Sequence, residues 1–293
     1  MKKAILLAGA LTVAMAALTA CGGTGTAEPE TTTQAAAEAA AETKTETTAK
    51  AEETTGEAAK EAEPQTVTIA AAASLETCLR DELIPLFEKQ NPGYTIEGTY
   101  DSSGKLQTQI EEGAGIDVFF PAATKQMDAL NDEGMIQAGS IRNLLENKIV
   151  FIVPTGDEGN YSSFEDIAKA ENAAIGDPDS VPVGQYSKEA LTNLGLWDEV
   201  LAKASLGTNV TEVLNWVAEG SAKAGIVYAT DAAQTDKVTV VAEAPEGSVK
   251  KAIYPAGIIK GCENPEGAQK FIDFLSGSEA MDIFVKNGVA AAE

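Results

Sequence analysis

TIAAAASLETCL, Thr68 to Leu79, passes from a β-branched run through four alanines and one serine into a helical spacing of apolar residues. VTIAA reads as a strand. Leu75, Cys78, Leu79, Leu83, Leu86 and Phe87 then recur at three- and four-residue steps, which is one face of a helix. Pro85 falls inside that pattern, where its missing N–H and fixed φ should kink the helix or start a second turn. A strand that hands directly to a helix is the first half of a β-α unit, and the rest of the chain repeats the alternation. YTIEGTY, IDVFFPA, KIVFIVP, AAIGDP, GIVYAT, VTVVAEAP and AIYPAGIIKG read as strands. GKLQTQIEEG, KQMDALNDEGM, FEDIAKAE, YSKEALTNLGLWDEVLAK, VTEVLNWVAEG and the closing PEGAQKFIDFLSGSEAMDIFVKNG read as helices. Alternating β and α from Thr66 to Glu293 predicts an α/β protein with mixed, mostly parallel sheets and flanking helices. The stretch is long for one open sheet, so two lobes are expected.

The whole chain has 293 residues, 45 Asp+Glu against 21 Lys+Arg, three Cys and no His. Without imidazole there is no Ser-His-Asp triad, no Cys-His pair, no HExxH zinc helix and no Cys/His zinc finger. A net charge of −24 speaks against a nucleic-acid partner, whose phosphates require a basic face. Lys2 and Lys3 precede an apolar run from Ala4 to Ala17, and Leu18-Thr19-Ala20-Cys21 follows as a small-residue cleavage site, the pattern of an export signal. The apolar run is shorter than the roughly 20 residues of a spanning helix. The final quartet resembles the lipobox of bacterial lipoproteins, which implies that Cys21 is acylated and that residues 1–21 form the signal. Residues 22–65 contain only Gly, Ala, Thr, Glu, Lys, Pro and Gln, with nothing to bury, and are expected to be a solvated tether. Setting aside the tether's −7 and the +2 of Lys2 and Lys3, a net −19 belongs to Thr66–Glu293.

In parallel α/β sheets ligands sit beyond the carboxyl ends of strands, where helix N-termini present N–H groups without intrahelical partners. Such groups attract anions without any cationic side chain. Four junctions carry small or hydroxyl residues: AAAASLE (Ala70–Glu76), YDSSGKL (Tyr100–Leu106), DPDSVPVGQYSKEAL (Asp177–Leu191) and GTNVTEVL (Gly207–Leu214). None holds a carboxylate cluster with metal-ligand spacing, and no EF-hand spacing occurs. Ser74 and Ser103 are in any case natural N-caps, and an anion can take the same hydroxyl and N–H groups that a cap would satisfy.

AAAASLETCL, YDSSGKLQTQIEEGAGIDVFFPAATKQM, GDPDSVPVGQYSKEALTNLGLWD and AGIVYATDA, in this order and at this spacing, resemble the molybdate-binding proteins of bacterial molybdate ABC transporters, from about Thr66 to the end of the chain. The resemblance implies a type II periplasmic-binding fold. Its lobe 1 would comprise 66–149 and 252–293 and its lobe 2 residues 150–251, with an oxyanion held in the cleft between them. Position by position it implies ligand-binding roles for Ser74 and Ser103 through hydroxyl and backbone N–H, for Val183 and Val210 through backbone N–H, and for Tyr228 through its hydroxyl. The chain departs from the pattern at Phe120-Pro121, where relatives usually carry a small polar residue, and at Gly104, where they often carry Ser. The resemblance further implies molybdate or tungstate as ligand, with no cofactor and no free-cation site. It also implies a membrane permease as partner, attachment to the outer face of the cytoplasmic membrane or a periplasmic location, and a monomer that is not an enzyme. Phosphate, protonated near neutrality, would need an acceptor that this donor set lacks.

Other classes leave different marks. Ser102-Ser103-Gly104-Lys105 contains S-x-x-K, the pattern of Ser-Lys acyl enzymes, but the companion SDN and KTG motifs are absent and Ser248–Lys251 matches the same pattern by chance. A structural lipoprotein or adhesin would show no small-molecule stabilisation, and sulfate or a small organic acid is the nearest alternative ligand. Trp197 and Trp216 are expected in packing rather than at the ligand. With Cys21 assigned to lipid, Cys78 is expected as a buried free thiol on its helix's apolar face, the alternative being a disulfide with Cys262 in the same implied lobe.

Overall fold

A computed structural model describes residues 65–292; the signal, the lipobox Cys21 and nearly all of the expected tether lie outside the described residues. Gln65, placed by its sequence at the end of the tether, is instead the first residue of a strand, its N–H donating to the Gly93 carbonyl at 2.7 Å.

The strands are β1 (Gln65–Ala72), β2 (Tyr94–Asp101), β3 (Val118–Phe120), β4 (Arg142–Asn147), β5 (Ile149–Pro154), β6 (Ala173–Gly176), β7 (Ala204–Gly207), β8 (Gly225–Tyr228), β9 (Val238–Glu243), β10 (Ala252–Ile258) and β11 (Ala290–Ala291). They form a six-stranded sheet of order β11-β4-β10-β3-β1-β2 and a five-stranded sheet of order β7-β6-β8-β5-β9. The chain passes from the first sheet to the second at Lys148, between β4 and β5, and returns between β9 and β10. Each sheet is mixed. Pairs belonging to β-α-β units are parallel, as between β1 and both β2 and β3, or β6 and both β7 and β8. Pairs made by the strands on either side of the crossings are antiparallel: β10 with β3 and β4, and β5 with β8 and β9. Helices that return a chain to the same edge give parallel neighbours, whereas a strand arriving from the other sheet has no such constraint.

Three strands have no counterpart in the periodicity of the sequence, β4, β7 and the two-residue β11. β4 (RNLLEN) lacks regular alternation, and β7 (ASLG) is four residues long; both are recruited by neighbours, β4 between β10 and β11 and β7 at the edge beside β6. The long helical reading of Tyr186–Lys203 breaks into Pro182–Asn193 and Trp197–Leu201 at Gly195, whose φ of 73° lies in the left-handed region that glycine adopts without strain. The closing helix divides likewise into Pro265–Leu275 and Ser278–Lys286, and Phe164–Lys169 is a 3-10 rather than an α-helix. Pro85 starts a new turn as expected: a wide π turn, Leu79–Leu83, precedes Ile84–Gln90 with the proline in its first turn.

Three of the four opening alanines lie on β1, an interior strand of the first sheet. β1 is paired on both sides, and Ala70, Ala71 and Ala72 are buried. Large residues close the core around them: Phe87 meets Phe271 and Phe274 edge-on at ring separations of 5.1 and 5.4 Å. Full burial of side chains this size is worth about 1.5–3 kcal/mol each. Phe120, a departure from the expected pattern, is buried and packs edge-on against Phe284, so its bulk goes to the core rather than to the junction it precedes.

Candidate functional site

Strand ends and helix starts from both sheets meet at one small cavity. Ser74 stands in the 3-10 turn Ala73–Leu75 that follows β1, and Ser103 is the first residue of helix Ser103–Glu111 after β2. Val183 is the second residue of helix Pro182–Asn193, Val210 the first of helix Val210–Ala218, and Tyr228 the last of β8. All five line this cavity, so residues distant in sequence and expected at the ligand share one wall set.

First-turn N–H groups have no intrahelical acceptor, which makes their accounting informative. Pro182 has no N–H, so Val183 supplies the first donor of its helix. At the helix that opens with Val210, the Asn209 side chain accepts from Glu212 N–H at 2.9 Å and so satisfies a later donor. At the helix that opens with Ser103, Gly104 N–H crosses the cleft to the Ser180 carbonyl at 2.9 Å. Ser103 Oγ accepts from Ala122 N–H at 3.0 Å, which leaves its own proton for another acceptor. Tyr228 Oη donates to the Ala122 carbonyl at 3.3 Å, a long bond that an anion with shorter geometry can replace. Ser74 Oγ lies 3.1 Å from Tyr254 Oη.

Charge at the site comes from the backbone and one carboxylate. No Lys or Arg lines the cavity. Asp101 does, and it is compensated by Lys105 at 3.2 Å and by Ser102 N–H at 2.7 Å. Burial, with Tyr254 and Tyr186 beside it, pushes the Tyr228 phenol well above its ordinary range, so it stays a protonated donor. Behind it, Asp231 accepts from Tyr228 N–H at 3.1 Å, and burial raises its carboxyl to about 7.

Several lining residues carried no expectation of their own: Ala73, Asp101, Ser102, Ala122 and Pro182. Ser102 is buried, and its hydroxyl has no hydrogen-bond partner, an unspent donor at the cavity wall. DSSGK carries two adjacent serines that the sequence alone does not distinguish. Lys105 completes the S-x-x-K pattern, but its side chain is engaged by both carboxylate oxygens of Asp101. Among the described residues no group of three or more His, Cys, Asp or Glu could hold a metal ion. Trp197 and Trp216 pack against the core and do not line the cavity, with Lys188 lying over the Trp197 ring at 5.6 Å. Cys78 is buried and Cys262 half-buried; both are free thiols, so the disulfide alternative does not form.

The lobes are shut on each other. Besides the Gly104–Ser180 bond, Gln126 donates across the cleft to Gln185 at 3.3 Å and Thr77 to Gln234 at 3.2 Å. Two lobes connected by crossing strands, closed on a small cavity of neutral donors, define a solute receptor of the hinged binding-protein class. The model of the bacterial extracellular solute-binding protein family matches residues 67–290, and the chain belongs to that family. It is 41% identical over 225 residues to YvgL, a candidate ABC transporter substrate-binding lipoprotein of Bacillus subtilis, covering 77% of this chain and 86% of that protein. It is 36% identical over 233 residues to the molybdate-binding protein ModA of Haemophilus influenzae, covering 77% and 90%. Among solved structures, the substrate-binding domain of a candidate molybdenum ABC transporter from Clostridium difficile superposes with a TM-score of 0.62 at 34% identity, covering 78% of this chain and 99% of that one.

Proposed function

We propose that this protein is the extracytoplasmic binding component of an ABC importer and that it captures molybdate or tungstate in the cavity between its lobes. The observation that carries the reading is the donor set. Ser74, Ser103, Val183, Val210 and Tyr228 converge from separate strand–helix junctions on one cavity with no cationic side chain in its wall. Two serine hydroxyls, a tyrosine hydroxyl and four backbone N–H groups make about seven donors, each worth roughly 1.5–3 kcal/mol to a charged acceptor. After desolvation of the anion and closure of the lobes, a net of ~8–12 kcal/mol corresponds to micromolar to nanomolar affinity. The net −19 of the folded part acts mainly at long range, where salt screens it beyond roughly 8 Å, and inside the cleft the local donors decide.

Hinge closure delivers the loaded form to a membrane permease, and acylated Cys21 with the 22–64 tether holds the monomeric receptor near it. The match to solute-binding proteins supports this transport role over the acyl-enzyme alternative, as does the Asp101–Lys105 pair. A calorimetric competition series tests the ligand. Molybdate and tungstate are expected to bind with similar affinity, sulfate more weakly and phosphate not at all; absence of saturable heat with molybdate removes the reading. Intact mass of the membrane-extracted protein tests the anchor, since an unmodified Cys21 is incompatible with it.

A further inference from the structure

Ser74 owes the direction of its hydroxyl to residues outside the cavity. Lys148 N–H donates to Asn147 Oδ1 at 2.9 Å, which turns the amide so that Nδ2 reaches Tyr254 Oη at 3.1 Å and Thr230 Oγ1 at 2.9 Å. An amide nitrogen only donates, so Tyr254 Oη must accept from it. The single proton of Tyr254 then goes to its other hydrogen-bonding neighbour, Ser74 Oγ, at 3.1 Å. Ser74 thereby accepts from Tyr254, and its own proton is released toward the cavity. Tyr254 is fully buried and Asn147, Ser74 and Thr230 nearly so, which keeps water from reversing the chain of donors. Tyr228, packed edge-on against Tyr254 at 5.4 Å, spends its proton on Ala122 instead.

The geometry points to Asn147 and Tyr254 as positioning residues that form a relay, Asn147 to Tyr254 to Ser74, and turn the Ser74 proton toward the ligand. Ser103 receives the same treatment from a backbone N–H, that of Ala122, and needs no side-chain relay. The consequence is specificity. An oxyanion that still carries a proton needs an acceptor, and the relay engages one of the two Ser74 lone pairs and presents the Ser74 proton to the ligand, which favours a fully deprotonated guest. The inference rests on the oxyanion reading above and adds the residues that enforce it.

A double-mutant cycle of Tyr254→Phe with Ser74→Ala, titrated calorimetrically with molybdate, tests the relay. Tyr254→Phe is expected to weaken molybdate binding roughly fivefold to twentyfold in the native background, and by less than about twofold when Ser74 is already Ala. An equal loss in both backgrounds, or none in the first, overturns the relay. A second measurement needs no anion. The ring Cζ carbon-13 resonance of Tyr254, assigned by its loss in Tyr254→Phe, is expected to shift on Ser74→Ala because its acceptor is removed. An unmoved resonance overturns the relay whatever the protein binds, whereas native protein that ignores molybdate overturns the proposed ligand and leaves this resonance to judge the relay.

Discussion

Gly104 N–H donates to the Ser180 carbonyl across the cleft at 2.9 Å, and a Cβ at position 104 would collide with that same carbonyl. Glycine at this position is therefore a condition of closure rather than a loss of a site serine. Gly104→Ala is expected to leave each lobe folded while raising the cost of the closed state by about 1–3 kcal/mol, the range of overpacking at a tight contact. Molybdate affinity should fall at least fivefold, and small-angle scattering should show no compaction on adding anion. Full compaction with unchanged affinity would contradict this account.

Ser74→Ala and Tyr228→Phe each remove one hydroxyl donor to a charged acceptor. Each should weaken molybdate binding by roughly 1.5–3 kcal/mol, about tenfold to a hundredfold. Val183→Ala, by contrast, keeps its backbone N–H and should bind nearly as the native protein does. Isothermal titration of the three variants checks the assignment, and native affinity in both hydroxyl variants would show it to be wrong.

Asp101 is an anion at an anion's cavity, tolerable because Lys105 and Ser102 N–H compensate it. The pair is part-exposed, so its worth is at most ~1 kcal/mol. Lys105→Met should weaken molybdate binding by up to about fivefold, more at low than at high salt, and Asp101→Asn should offset that loss in the double variant. A salt-independent effect would locate the loss in packing instead.

Asp231 makes stability depend on pH with a definite sign. Its folded pKa is about 7, raised by burial, against about 4 for an unfolded carboxyl. Between those values the folded chain holds a proton that the unfolded chain has released, so stability falls as pH rises through the window and is flat above it. Asp231→Asn keeps an acceptor for Tyr228 N–H and removes the titration. The difference in Tm between native protein and this variant should shift in favour of the native protein as pH drops from 7 to 5; a constant difference would rule the mechanism out.

Burial, with Glu82 adding to it, pushes the Cys78 thiol up to about 12. Cys78 should therefore resist alkylation in native protein at pH 8 and react on unfolding. Iodoacetamide labelling followed by peptide mass analysis reads this directly.

The strand-to-helix junctions are legible in the sequence because they are local. AAAAS, DSSGK and VPVG place small residues, hydroxyls and a proline where a strand yields to a helix, and each junction is specified within a few residues. The absence of histidine and the acidic balance narrowed the chemistry equally early. β4, β7 and β11 were not legible, since each is a strand through its neighbours rather than through its own alternation.

The alanines of TIAAAASLETCL follow the same division. Their order in the sequence announced a close approach of backbone and ligand at Ser74. Which way the Ser74 proton points was decided by Tyr254, 180 residues away, and by Asn147, 107 residues from that tyrosine. Composition and spacing fix what a segment can donate. The direction in which it donates depends on partners that only the closed tertiary fold brings within hydrogen-bond reach.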